Sequence, residues 1–367
     1  MKPHILPADP LAAYLAEAGE IDAAIQRVLH SGKYILGPEN EAFAREFAAY
    51  LGVGEVVGVA NGTDALELAL RAAGIGPGDK VVTVANTVTA TAAAIVAAGA
   101  APVYVEIEAG TMLMDPAALE SLLTTLRDPR IKAVLPVHLY GQPAHMPRVS
   151  QIAREHNLVV IEDCAQAHGA TVGGRRAGAW GHLAAFSFYP TKNLGALGDG
   201  GAVAGSDPAL LEKVRLLRQY GWRRRYVSDS PGRNSRLDEL QAAILRGRLA
   251  RLDAANARRA GLAARYLERL AASAVRLPAV APDRTHVWHQ FVVRTAERDA
   301  LRTRLEQRGV GCGVHYPVPI HRQPGFHQVE TMLPETERAC AEVLSLPLHP
   351  GLHPGDVDMV CDAVLAG

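Results

Sequence analysis

Between about residue 55 and residue 205 the chain alternates short Val/Ile-rich runs with longer Ala/Leu-rich stretches. Val56–Ala60 predicts a strand followed by a helix over Asp64–Ala73, and Lys80–Val84 a strand followed by a helix over Thr89–Ala98. Pro102–Val105, Ala133–Val137 and Leu158–Glu162 predict further strands, the last after a helix over Met146–His156. Nearly continuous apolar strands separated by helices imply an α/β fold with a mostly parallel central sheet covered on both faces. Such sheets bind ligands beyond the carboxyl ends of their strands, where Asn61, Asn86, His138 and Asp163 fall.

After Asp207 the pattern changes. Ala209–Tyr220 and Leu237–Tyr266 predict helices, the second long and studded with arginine. From Leu277 a smaller α+β unit is expected: strand Gln290–Arg294, helix Glu297–Arg308, short strand Gly311–His315 and a final helix after Asp356. This divides the chain into a large unit over 1–250 and a small C-terminal unit over 251–367, with the N-terminal segment free to pack on the latter.

The 367 residues exceed one small core, and 49% hydrophobic content excludes disorder. Lys plus Arg and Asp plus Glu both number 38, so the basic surplus of a nucleic-acid or anionic-membrane binder is missing. Arginines cluster locally at Arg223–Arg225 and Arg246–Arg259, as a solvated face or a patch steering an anionic substrate. Met1–Asp9 lacks the apolar core of a signal peptide, and no apolar run is long enough for a membrane span. The four cysteines are scattered without C-x-x-C spacing, which fits free thiols in the cytoplasm. His286, His289, His315, His321 and His327 show no metal-ligand pattern, so no metal is expected.

The chemistry concentrates in two stretches. Val159-Val-Ile-Glu-Asp163-Cys-Ala-Gln166 delivers a carboxylate to a strand end; Phe186-Ser187-Phe-Tyr-Pro-Thr-Lys192-Asn193 delivers a hydroxyl and one lysine, followed closely by Gly195, Gly198, Gly200 and Gly201. A lysine in a rigid, glycine-rich loop opposite an acid suits pyridoxal 5'-phosphate (PLP), held as a Schiff base with an acid beneath its ring nitrogen. Taken singly, Asp163 could also cap a turn, Gln166 could donate to the ring oxygen, and His168 could lie against the ring or satisfy the loop. Asn61-Gly62-Thr63-Asp64 opens a helix and offers either an ordinary cap or a phosphate site, with Ser187 as a second donor. Gly74-x-Gly76-x-Gly78 follows a helix and precedes a strand, the reverse of a dinucleotide fingerprint.

Four motifs, Asn61-Gly-Thr-Asp-Ala-Leu, Glu162-Asp-Cys-Ala-Gln-Ala-His168-Gly, Ser187-Phe-Tyr-Pro-Thr-Lys192-Asn-Leu-Gly and Asn234-Ser-Arg-Leu-Asp-Glu-Leu-Gln-Ala, together resemble the DegT/DnrJ/EryC1/StrS family. These are PLP-dependent nucleotide-sugar aminotransferases of fold type I, and the resemblance runs from about Tyr34 to Leu348. It implies Lys192 as the Schiff-base lysine, Asp163 on the pyridine nitrogen, Gln166 on the ring oxygen, and Gly62, Thr63 and Ser187 on the phosphate. It implies that Asn234 reaches the phosphate of a neighbouring subunit, making a homodimer with shared sites. Some relatives carry histidine in place of the lysine and act as dehydratases; Lys192 favours amino transfer. The lysine motif and Gly311-x-Gly-Val-His315-Tyr316-Pro-Val-Pro-Ile-His321 look most like members that aminate C3 of dTDP-keto-6-deoxyhexoses, with glutamate as the donor. The alternatives are a C4-keto sugar, a cyclitol ketone, or a regulator without turnover. Tyr34, Tyr189, His315, Tyr316 and His321 are the candidate sugar contacts. Val88 stands where the family usually places an aromatic that stacks on the PLP ring.

Overall fold

The computed structural model describes residues 4–326 and 331–366, so His327 of the histidine series lies outside them. Helices α1 (Pro10–Ser31) and α2 (Pro38–Leu51) come first; each has a proline in its first turn and stops at a left-handed glycine, Gly32 or Gly52. Strand β1 (Glu55–Val59) leads into α3 (Gly62–Ala72), β2 (Lys80–Val84) into α4 (Thr89–Ala97), and β3 (Ala101–Val105) into α5 (Pro116–Leu126). There follow β4 (Ile131–Leu135), α6 (Met146–Glu155) and β5 (Val159–Asp163). A short hairpin, β6 (Thr171–Val172) and β7 (Arg175–Arg176), precedes β8 (Leu183–Ser187) and β9 (Gly201–Gly205).

Seven of these strands form one sheet in the order β1-β9-β8-β5-β4-β2-β3. Neighbours are parallel except that β9 runs against both β1 and β8. The carboxyl ends of β1, β2, β4, β5 and β8 therefore share one edge. His138 N–H donates to Asp163 O at 3.0 Å, and Asp163 N–H to Pro136 O at 2.9 Å, carrying the pairing to that edge. One face of the sheet packs under α3 through Leu68, Leu70, Leu183, Ala185 and Val203. The other packs under α2 through Phe43, Phe47, Phe186 and Phe188.

Beyond the sheet come α7 (Pro208–Leu217), a protruding hairpin of β10 (Trp222–Arg224) and β11 (Val227–Ser228), then α8 (Glu239–Leu249) and α9 (Leu252–Arg269). The single helix expected over Leu237–Tyr266 is two. Its axis turns at Ala250–Arg251, because α8 packs on α1 and α2 while α9 runs to a separate apolar cluster around Leu262 and Tyr266. No glycine or proline marks that corner, so the sequence pattern passes through it unbroken. The last elements are β12 (Phe291–Arg294), α10 (Arg298–Gln307), α11 (Pro334–Glu342), β13 (Val343–Leu346) and α12 (Pro354–Leu365). β12 pairs antiparallel with β13.

Gly311–His315 is not the strand expected. Gly311 N–H bonds Ile5 O at 2.9 Å, whereas Gly313 exchanges both backbone bonds with Ser345, so the stretch is divided between two partners. Ile5 enters the C-terminal cluster with Phe291, Leu346 and Val357.

Candidate active site

Asp163 ends β5 and is buried beneath the carboxyl edge of the sheet. Thr91 Oγ1 donates to its Oδ2 at 3.0 Å and Ala165 N–H to its Oδ1 at 3.2 Å. Thr87 Oγ1 lies 3.0 Å from Thr91 Oγ1, extending the chain of hydroxyls. Burial raises the Asp163 pKa; the Ala165 N–H, the Thr91 hydroxyl and the charge of Lys192 oppose it.

Lys192 lies in the loop after β8, and its N–H closes a turn onto Tyr189 O at 2.8 Å. Desolvation pulls the amine down from 10.5 to about 8, with Asp163 opposing. Gly195 is required there, since a Cβ would meet Pro190 O at 2.6 Å. Three histidines close to Lys192 are held neutral. Burial and the lysine charge take His168 to about 3, His315 to about 4 and His289 well below its ordinary value.

Gln166 is oriented by its neighbours. Tyr140 N–H donates to its Oε1 at 2.7 Å and its Nε2 donates to Tyr316 Oη at 3.2 Å, so the amide nitrogen keeps one hydrogen to give. Tyr140 Oη donates to His315 O, and His315 Nδ1 lies 2.8 Å from Ser345 Oγ. Gln166, His315 and Tyr316 thus share one network with Tyr140.

At the first turn of α3, Asn61 Oδ1 takes only the Asp64 N–H, at 2.8 Å, which leaves the Gly62 and Thr63 N–H groups without a protein partner. A Cβ on Gly62 would meet Ser187 Cβ at 2.6 Å, so the glycine brings the helix terminus against Ser187. Free N–H groups, a hydroxyl and the positive end of a helix make a cradle that fits a phosphate.

His168 lies behind this cradle. Its ring centroid is 5.5 Å from that of Phe186 and 5.9 Å from that of Phe188, and neither ring nitrogen has a hydrogen-bond partner. Val88 is half open at the N-cap of α4, beside Thr87. Tyr189 stays on the lysine loop but is 53% exposed, and Tyr34, before α2, is 51% exposed with its Oη on Leu29 O. Asn234 lies on an exposed loop after the β10–β11 hairpin, and none of the hydrogen bonds described joins its side chain to the Lys192 group. His321 is buried one layer away, its Nε2 3.0 Å from Glu337 Oε1 and its ring against Tyr104.

Sequence reasoning gave no role to Thr91, Tyr140, Asn193, Asn256 or His289. Thr91 carried a signal, a buried-face hydroxyl one helical turn past Thr87, and Asn193 is next to the lysine. Asn256 and His289 carried none, because their partners are remote in sequence. His138, Glu162 and Cys164 also offer ligand atoms within 4.8 Å of one another. Two of the three are already engaged: Glu162 accepts from His138 Nε2 at 2.9 Å and from the N–H groups of Gly178, Trp180 and Gly181, while His138 Nδ1 accepts from Ala144 N–H. Burial alone would raise the Glu162 carboxyl, but these donors outweigh it and hold it below the usual carboxylate range.

A mostly parallel sheet with a half-buried lysine facing a buried acid at its carboxyl edge defines a lysine-centred α/β enzyme of fold type I. The chain belongs to the DegT/DnrJ/EryC1/StrS aminotransferase family, whose model matches residues 16–365, and it is an aminotransferase. It is 51% identical over 360 residues to the dTDP-3-amino-3,4,6-trideoxy-alpha-D-glucose transaminase of Streptomyces venezuelae, covering 97% of this chain and 94% of that protein. The crystal structure of DesV from S. venezuelae in complex with a ketimine intermediate is similar with a TM-score of 0.96 at 49% identity, covering 100% of this chain and 98% of that one. NtdA from Bacillus subtilis, solved with bound cofactor PMP, is similar with a TM-score of 0.88 at 34% identity over 96% of this chain and 82% of that one.

Proposed function

We propose that this aminotransferase uses PLP to move an amino group from an amino acid, L-glutamate, to the C3 keto group of a dTDP-linked keto-6-deoxyhexose in amino-sugar biosynthesis. The observation that carries the reading is the grouping of Lys192 with Asp163 and a Gln166 amide that keeps one hydrogen to give, together with the open helix terminus at Gly62 set against Ser187. When bound, PLP supplies an electron sink for the electrons released at a neighbouring carbon.

The chain's own residues do the rest. Gly62, Thr63 and Ser187 would hold the phosphate, Asp163 would keep the ring nitrogen protonated, and Gln166 Nε2 has one hydrogen left that it would give to the ring oxygen. Lys192 would anchor the cofactor and, as a free amine, would move a proton between the donor's Cα and C4′ of the cofactor. An amine pulled to about 8 by burial suits that work, because both its forms are populated near neutral pH. His168 backs the cradle, and Val88, at the N-cap of α4, would face the ring. Tyr34, Tyr189, His315, Tyr316 and His321 are assigned to the sugar and its diphosphate, His321 from the segment whose Ile320 N–H bonds Ala85 O at 3.0 Å. Support for the sugar class comes from the transaminase relative at 51% identity and from a second at 47%, the dTDP-3-amino-3,6-dideoxy-alpha-D-galactopyranose transaminase of Aneurinibacillus thermoaerophilus.

We place Asn234 in the neighbouring subunit's phosphate site, which makes the working unit a homodimer. Its exposure, with that of Tyr34, Ile35, Tyr189 and Tyr226, supports such a surface. Among the described residues no helix is long and apolar enough to cross a membrane, and the four free cysteines suit the cytoplasm. We place the boundary between a large unit and a small C-terminal unit at residue 250, supported by the separate cluster around Leu262, Tyr266 and Phe291. The test is a two-stage assay. Glutamate should bleach the visible band of the cofactor-loaded protein, and a panel of dTDP- and UDP-keto sugars should restore it only with the true acceptor. A band that glutamate leaves untouched would end the proposal.

A further inference from the structure

We infer that Asn256 is a positioning residue for Lys192: its side-chain amide staples the segment carrying Asp163, Gln166 and His168 to the segment carrying Lys192. The inference rests on the reading of Lys192 given above. Asn256 is buried on α9. Its Nδ2 donates to His168 O at 2.9 Å, and its Oδ1 accepts from Asn193 Nδ2 at 2.8 Å. One amide therefore spans the loops that follow β5 and β8.

The bonds around it leave little slack. Asn193 gives its other amide hydrogen to Val287 O at 2.8 Å, so its Oδ1, 3.1 Å from His289 Nδ1, must accept. His289 is then the donor through Nδ1, in the neutral form that its burial favours. Gly169 is shaped to the staple. Its φ is +90°, and a Cβ there would meet Asn256 Nδ2 at 2.9 Å and Tyr50 Oη at 2.6 Å. A glycine that makes room for an amide, and an amide whose two ends hold the acid's loop and the lysine's loop, form a device for setting one against the other. Displacing such groups by about 1 Å is enough to slow a reaction about 10²-fold.

The experiment compares PLP-loaded wild type with Asn256→Ala and Asn256→Asp. The second variant keeps size and the acceptor for Asn193 but removes the donor to His168 O, so it serves if the alanine variant folds poorly. We expect kcat to fall about 10- to 100-fold in either variant, with the KM for the amino donor little changed. The acid limb of the kcat–pH profile should move up by about half a unit or more, because a lysine released from its loop regains water. The midpoint of the cofactor's visible absorption against pH should move as well, a signal that lost stability alone does not produce. Variants whose pH midpoints match wild type, and whose kcat falls only with the folded fraction, overturn the inference alone. A wild type in which borohydride fixes no cofactor to Lys192 overturns the reading of Lys192 and this inference together.

Discussion

The side-chain polar atoms of Asp163, Gln166, Asn193 and Asn256 already have partners within the chain, whereas Tyr34, Val88, Tyr189 and Asn234 stand open. The floor takes its partners from the ends of β5 and β8, from α4 and from α9, so its geometry exists before any ligand arrives. The rim is held by little more than backbone turns. Pre-placed dipoles and charges lower a barrier without reorganising during the reaction, while exposed tyrosines and amides wait for contacts from outside. The contrast separates chemistry, which one chain can arrange, from recognition, which the proposed substrate and second subunit would complete.

The most severe way to break the floor is Lys192→Ala. We expect kcat to fall by about 10⁴ or more, measured as amino-sugar product by chromatography, because anchor and proton carrier vanish together. On the proposed reading, the proton acceptor is the neutral amine of Lys192. Its pKa of about 8 lies below the ordinary 10.5, so activity should rise with pH through about 8 and fall about tenfold per unit below it. A flat kcat between pH 6 and 9 would remove Lys192 from the proton-transfer step.

Asp163→Asn is the next largest. It keeps the shape and the Thr91 contact but removes the negative charge, and kcat for the glutamate half-reaction should drop about 10²–10³-fold. Retention of more than half the rate would mean that the acid only caps the strand end.

The rim is tested by mixing subunits. Asn234→Ala should weaken cofactor retention about tenfold or more, as expected for one hydrogen bond to a charged group. If the residue serves the neighbour, a mixture of inactive Lys192→Ala and weakened Asn234→Ala chains should regain activity as hybrid dimers form, because one site per hybrid is then whole. No recovery on mixing would return Asn234 to its own chain.

The split between floor and rim also decided what could be read in advance. The strand–helix alternation, the site edge and Asp163, Gln166 and Lys192 were legible because each is local: an apolar run, then one polar group at its end. The pattern hid β9, because Gly201-Ala-Val-Ala-Gly205 reads as glycine-rich loop until β1 and β8 pair on both sides of it. It also ran through the turn between α8 and α9. The residues that hold the floor were illegible for a different reason. Asn256 serves His168 from 88 positions away, and His289 serves Asn193 from 96, with no periodicity to announce either. Rim residues were legible only through motif resemblance, since exposure leaves no hydrophobic pattern.

Val88 gives the smallest and most discriminating test, because it sits where floor and rim meet. It caps α4 with φ −69° and ψ 148°, a backbone any L-residue adopts, and its side chain is 37% exposed, so Val88→Phe should fold with little change in melting temperature. An aromatic there would lie over the cofactor ring and add about 0.5–1.5 kcal/mol of stacking, which is about two- to tenfold tighter retention in equilibrium dialysis. Asp163 and its threonines are untouched, so kcat at saturating cofactor should hold. Tighter retention at constant kcat would show that this chain exchanges cofactor readily through an open rim above a finished floor. Unchanged retention would mean that the ring does not lie against α4, and that Thr87 and Thr91 reach Asp163 from outside the cofactor's footprint.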